Sequence, residues 1–211
     1  MGDKLAKVMN EPVDFWEVIS GRRSVLSLQN RQVPENLIRD AMEFAILAPS
    51  AHNAQPWRFI WLKDKKTRTE LLTAMTERFV RDMAKDEVPT AEQKRRANES
   101  LARFGDAPVL MLAGISMLEM DKYSDTFRRE CEKFMAVQCL SAAIENLLLA
   151  LHGFGLASRW YCAPLFCPDV VRETLKLPGD FEAQAFITAG YPGVVPPRPR
   201  RKPLQEILFE R

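Results

Sequence analysis

Three short stretches of this 211-residue chain concentrate side chains suited to holding a small charged molecule. Residues 21 to 24 read Gly-Arg-Arg-Ser, residues 49 to 57 read Pro-Ser-Ala-His-Asn-Ala-Gln-Pro-Trp, and residues 198 to 203 read Arg-Pro-Arg-Arg-Lys-Pro. Guanidinium forks and hydroxyls hold phosphate because they present several charge-matched donors in a fixed plane. Any one stretch taken alone reads as a solvated turn, and the middle one reads equally as a surface turn or as a polar cradle. Three in order are far more specific.

Other chemistries have less to stand on. Gly153-Phe-Gly155-Leu-Ala-Ser158 resembles a dinucleotide fingerprint, but it follows a helix and precedes a strand, the reverse of what phosphate binding at a helix N-terminus requires. It reads as a helix stop. P-loop, GxSxG and HExxH patterns are missing from the sequence,. The two histidines, His52 and His152, have no acid or thiol partner at motif spacing, so nucleophilic catalysis is unsupported and a zinc cluster poorly supplied,. His152, at the end of an apolar helix, reads as a C-terminal capping cation or a partly buried polar group. Cys162 and Cys167 read as two buried thiols, and Cys131 and Cys139 as reduced thiols of a cytoplasmic protein.

These stretches need elements to position them. Asp14 can cap a short helix that stops at Ser20-Gly21, with Glu17 completing a capping box. A second helix opens at Pro34, carries Leu37, Ala41, Phe44, Ala45 and Ala48 on one face, and ends at Pro49. The run Trp-Arg-Phe-Ile-Trp-Leu-Lys from 57 is strand-like, and two charged helices follow at about 65–85 and 90–104, the second opened by a Thr90-x-x-Gln93 box. Residues 107–115 are a continuous apolar run, as in a strand buried on both faces. Residues 126–152 form a helix apolar nearly all round, interrupted by Gln138, Glu145 and Asn146, which places it at the protein centre and at a subunit interface. Strand-like 155–163, a helix at 168–177 and strand-like 182–192 complete an α+β order, and the proline-rich residues 193–211 form an extended arm.

Length fits one domain spanning residues 1–211,. A net charge of +2 does not favour a polyanion, and the basic groups at Lys94-Arg95-Arg96 and Arg198 to Lys202 lack the interleaved aromatics of a nucleic-acid surface,. The N-terminal stretch has acids and no apolar core, unlike a signal peptide, and Ala6 stands where a myristoylation motif wants serine or threonine,.

From "ISGRRSVLSLQNRQVPENLIRDAMEFAILAPSAHNAQPWRFIWL" to "GYP" and the closing "RKPLQEI", the chain resembles the flavin-dependent nitroreductase-like proteins, among them the iodotyrosine deiodinases. The resemblance implies a central, mostly antiparallel sheet flanked by helices, a homodimer, and FMN bound at its interface. It assigns the FMN phosphate and ribityl chain to Arg22, Arg23, Ser24 and Arg201, and the flavin lining from the neighbouring subunit to Pro49, Ser50, Ala51, Asn53 and Gln55. Leu26 stands where the family commonly has a basic residue. Tyr161, Cys162 and Ala163 match the segment whose backbone N–H groups meet the ring, and residues 65–105 match the helices that wall the pocket. A narrower resemblance, from "ENLLLALHGFGLASRWYCAPLFCPDVV" onward, is to the flavin-reductase domain fused to the glutamate ligase of the deazaflavin coenzyme F-420. The ligase half is absent here. The implied activity is electron transfer from NADH or NADPH through FMN to a small organic acceptor, with no membrane or nucleic acid involved. Alternatives are reduction of a dehydro precursor of the deazaflavin coenzyme and a flavin carrier with little turnover.

Overall fold

A computed structural model describes residues 14–211. The N-terminal expectations, from signal peptide to Ala6, lie outside the described residues. Helix α1 spans Phe15–Gly21 and is capped by the Asp14 carboxylate, which accepts from the Trp16 N–H at 2.7 Å,. Helix α2 spans Glu35–Ala45. Strand β1 is Trp57–Trp61, α3 is Lys65–Lys85 and α4 is Thr90–Gly105. Then come β2 at Val109–Ser116, α5 at Thr126–Gly153, β3 at Ala157–Tyr161, α6 at Pro168–Leu175 and β4 at Phe181–Gly190.

The four strands form one antiparallel sheet in the order β1-β2-β4-β3, with a bulge in β2 between Ala113 and Gly114. Side chains alternate across a strand, so β2 sends Met111, Ala113 and Ile115 to one face and Leu110 and Leu112 to the other,. The first face packs against α5 and α2, through Leu140, Ile144, Leu147, Ile38 and Ala41. The second packs against α3, α4 and α6, through Leu71, Leu72, Phe104 and Val171. Every residue of β2 is therefore buried, which is why its sequence is apolar without alternation,.

Helix α5 is the centre of the molecule. Its N-terminus is capped by Asp125, which accepts from the Arg128 N–H at 2.9 Å. At its other end the Leu156 N–H returns to the Leu151 carbonyl and the Gly155 N–H to that of His152, a Schellman closure with Gly155 at φ 74°,. The helix-stop reading of Gly153–Gly155 thus holds. By length and composition α5 is apolar enough to cross a membrane, so its three polar interruptions do not exclude a span as expected. Here it lies against the sheet, and each fully buried leucine or isoleucine on it contributes about 1.5–3 kcal/mol,. Its opposite side carries Phe127 and Phe134, which are exposed.

Several local expectations need correction. Helix α2 begins after Pro34 and ends at Ala45; Leu47 and Ala48 donate to Phe44 and Ala45, a tighter turn that leads to Pro49,. The Thr90-x-x-Gln93 box is not formed: Pro89 occupies the cap position, and the Gln93 amide donates to the Val88 carbonyl at 2.7 Å. Beyond Pro192 the chain runs without regular elements apart from a 3-10 turn at Leu204–Glu206. Two arginines tie the arm to α1: Arg198 donates to the Ser20 carbonyl, and Arg23 to that of Pro197.

Candidate functional site

The end of α1 builds a small basic cavity. Arg22 closes the helix with its N–H on the Val18 carbonyl, and its Nε donates to Glu145 of α5 at 3.1 Å. The chain then passes beside β3, where Ser24 bridges Ser158 and the Val25 N–H donates to the Ser158 carbonyl at 3.1 Å. Between them lies a cavity of about 210 Å³ bordered by Gly21, Arg22, Arg23, His152, Ser158 and Pro192. Gly21 is needed for this approach, because a Cβ there would stand 2.9 Å from His152 Nε2. Burial, and secondarily the Arg22 charge, push the His152 imidazole below its ordinary pKa, so it is neutral at neutral pH,. The capping-cation reading of His152 is therefore replaced by that of a partly buried neutral group. Two guanidiniums and a neutral imidazole around one void suit an anion such as a phosphate.

Pro49, Ser50, Ala51, Asn53 and Gln55 lie elsewhere, in a loop held against the N-terminal half of α5. The Ala51 N–H donates to Cys139 Sγ at 3.3 Å. His52, Asn53 and Gln55 all take positive φ, at 52°, 53° and 48°. A non-glycine residue in that region costs about 1–2 kcal/mol, less for Asn, so the turn must be held by its bonds. Ser50 Oγ accepts from the Gln55 N–H at 3.1 Å, the Gln55 amide donates to Asn53 Oδ1 at 3.3 Å, and Arg58 donates to the Gln55 carbonyl at 3.1 Å. The loop presents the side chains of His52, Asn53 and Gln55 outward. None of its residues borders the basic cavity of its own chain.

Tyr161 ends β3, Cys162 is exposed, and Ala163 opens a 3-10 turn to Phe166. The Cys162 N–H meets no acceptor among the described residues, which leaves it available to a ligand,. Cys162 is thus not the buried thiol expected, because the strand has ended before it. Cys167 is buried, and burial, with Asp169 nearby, pushes its thiol up to about 11. All four cysteines are free thiols. Behind this segment α3 and α4 enclose a second cavity of about 610 Å³, walled by Met75, Phe79, Arg103, Phe104, Tyr161 and Cys167 among others. Residues 72–104 thus contribute much of the lining of this cavity. Tyr161 packs edge-on against Phe104 with ring centroids 5.1 Å apart, and its phenol is pushed up by burial.

Leu26 is exposed and apolar, so it supplies no polar contact. Arg201 is exposed on the arm and does not border the basic cavity; Arg198 is the arm arginine that reaches α1. Glu145, His152 and Ser158 are neighbours of the cavity that motif reading passes over. Glu145 leaves one signal: between Phe134 and Leu151 it is the single charged residue of α5.

The sequence profile of the nitroreductase family matches residues 19–191. Iodotyrosine deiodinase 1 of Sus scrofa is 28% identical over 201 residues, covering 92% of this chain and 68% of that protein. An NADH dehydrogenase of Thermus thermophilus is 28% identical over 217 residues, covering 90% and 92%. A nitroreductase-type protein of Desulfovibrio desulfuricans, solved in complex with FMN, superposes with a TM-score of 0.72 at 24% identity, covering 95% and 98%.

Proposed function

The chain belongs to the nitroreductase family, and we propose that Arg22, Arg23 and Ser24 hold the phosphate end of FMN in an FMN-dependent NAD(P)H oxidoreductase. The observation that carries this reading is the cavity of about 210 Å³ between Arg22, Arg23 and His152. It fits a phosphate and part of a ribityl chain, but falls below the roughly 300–1,000 Å³ of a pocket that encloses a whole cofactor. The ring would then lie outside this cavity, and the Cys162 N–H at the end of β3 would be among the donors that hold it. Bound FMN supplies the two-electron chemistry between NADH or NADPH and a small organic acceptor.

The chain's own groups bind and orient. Glu145 fixes the fork of Arg22, Gly21 lets His152 close the cavity, and the Tyr161–Ala163 backbone offers donors where negative charge develops on reduction,. Ser50, Ala51, Asn53 and Gln55, with Pro49 setting the turn, line the flavin of a second copy, and Arg201 reaches the phosphate through the arm. A homodimer is supported by apolar groups that this chain leaves uncovered: Phe15 and Trp16 on α1, Phe127 and Phe134 on α5, and Leu204, Ile207 and Phe209 on the arm,. Its acceptor is a nitroaromatic, a quinone or, on the narrower resemblance, a dehydro precursor of the deazaflavin coenzyme. The four free thiols suit the cytoplasm,.

Anaerobic addition of NADH and of NADPH to the purified yellow protein tests this function. Bleaching followed by reoxidation on adding a nitroaromatic or the dehydro precursor is expected, and identifies the acceptor. A colourless protein that takes up no FMN, or a flavin that neither nicotinamide bleaches, would overturn it.

A further inference from the structure

Three side chains from three elements converge away from both cavities. His52 stands in the 3-10 turn Ala51–Asn53, Asp121 in the link from β2 to α5, and Glu132 on α5. His52 Nε2 and Asp121 Oδ2 are 3.6 Å apart, and one ligand atom from each of the three residues lies within 4.8 Å of the other two. Glu132 is 3% exposed, and its buried Oε2 has no hydrogen-bond partner among the described residues. An unpaired carboxylate oxygen in the interior is costly and needs an explanation.

We propose that His52, Asp121 and Glu132 form a binding site for one divalent transition-metal cation, with zinc the best match. Imidazole with two carboxylates is a zinc donor set, and three protein ligands leave the fourth position to water. Donors at about 2.0–2.2 Å from a tetrahedral ion stand about 3.3–3.6 Å apart. The His52–Asp121 spacing meets that already, and both side chains are more than half exposed, so they can close on the fixed Glu132. Two carboxylates balance the charge of the ion, and the ion would give the buried Glu132 carboxylate a partner. The left-handed backbone of His52 gains a reason here, since the adjacent amides and hydroxyl form the loop's internal bonds without its imidazole. This site stands independently of the flavin reading, although a bound ion would tie the Ser50–Gln55 loop to α5.

Untagged full-length protein, dialysed against a chelator and then against buffer, is titrated with zinc calorimetrically and with cobalt by visible absorption. One equivalent per chain is expected, with a rise in melting temperature. His52→Ala and Glu132→Gln should each weaken binding by more than about 100-fold, beyond what loss of an outer-shell partner costs. No saturable cation in the wild type, or unchanged affinity in His52→Ala, would overturn the site. His52 is exposed, so that variant decides the matter even where Glu132→Gln fails to fold.

Discussion

Replacing Arg22 by alanine probes the basic cavity most directly. Its ion pair with Glu145 spans 3.1 Å with side chains 24% and 45% exposed, and a pair so placed is worth about 0–1 kcal/mol to the fold,. A charge-assisted hydrogen bond to a phosphate is worth about 1.5–3 kcal/mol. At about 1.4 kcal/mol per decade, Arg22→Ala should weaken FMN about 10- to 150-fold while lowering apoprotein stability by no more than about 1 kcal/mol. Glu145 would then stand unpaired beside the phosphate, which moves the loss toward the upper end. Arg22→Ala combined with Glu145→Gln should recover part of it. Arg201→Ala is expected to fall in the same range, if the arm carries this exposed arginine to the phosphate in the dimer proposed above. Quenching of FMN fluorescence by apoprotein reads each affinity. Wild-type affinity in both single variants would refute the phosphate assignment.

Further outcomes follow from the same geometry. The full chain should sediment as a dimer, and removing residues 203–211 should shift it toward monomer with loss of flavin; a monomer retaining FMN would contradict the shared site. His152 should titrate below 6.5 in apoprotein by NMR. Its folded pKa is the lower one, so its stabilising contribution is full above 6.5 and is lost as pH falls from there through the folded value; a bound phosphate should raise the pKa, and an apoprotein pKa at or above 6.5 would remove the neutral-imidazole argument,. A thiol reagent should label Cys162 in the native protein and spare Cys167 until unfolding, as burial and a thiol pKa of about 11 require,.

Where a residue's environment is set by its own element, its role was legible in the sequence. Residues 109–116 announce a doubly covered strand, because a sheet sandwiched between helices tolerates no polar alternation,. Asp14 announces a helix start and Gly155 a helix stop, since both act within one turn of backbone. The failures came where the path of the chain between elements decides. Cys162 is exposed because β3 ends one residue earlier, and no periodicity marks that boundary. Pro89 in the cap position has no N–H for the Gln93 side chain to accept, and the Gln93 amide instead donates to the Val88 carbonyl within reach,. Arg198 rather than Arg201 docks on α1 because a proline-rich arm has no repeat that ranks its arginines. Glu145 and His152 contact residues over 120 positions away, a separation that only packing on α5 can bridge.

That helix also dictates the most demanding test of shared sites. Along α5, Cys139 holds the Ala51 turn, Glu145 holds Arg22, and His152 meets Gly21. At 1.5 Å per residue, the loop's anchor and the far wall of the cavity are separated by about 20 Å on one helix. One chain's loop therefore serves the other chain's arginines if two copies stack their α5 helices, and the two defects become separable. Arg22→Ala chains mixed with Asn53→Ala/Gln55→Ala chains give heterodimers in which one site carries both defects and the other carries none. Random reassortment should restore wild-type FMN affinity to about a quarter of all sites. Were each site built within a single chain, every site in the mixture would keep one defect, and no tight binding would return.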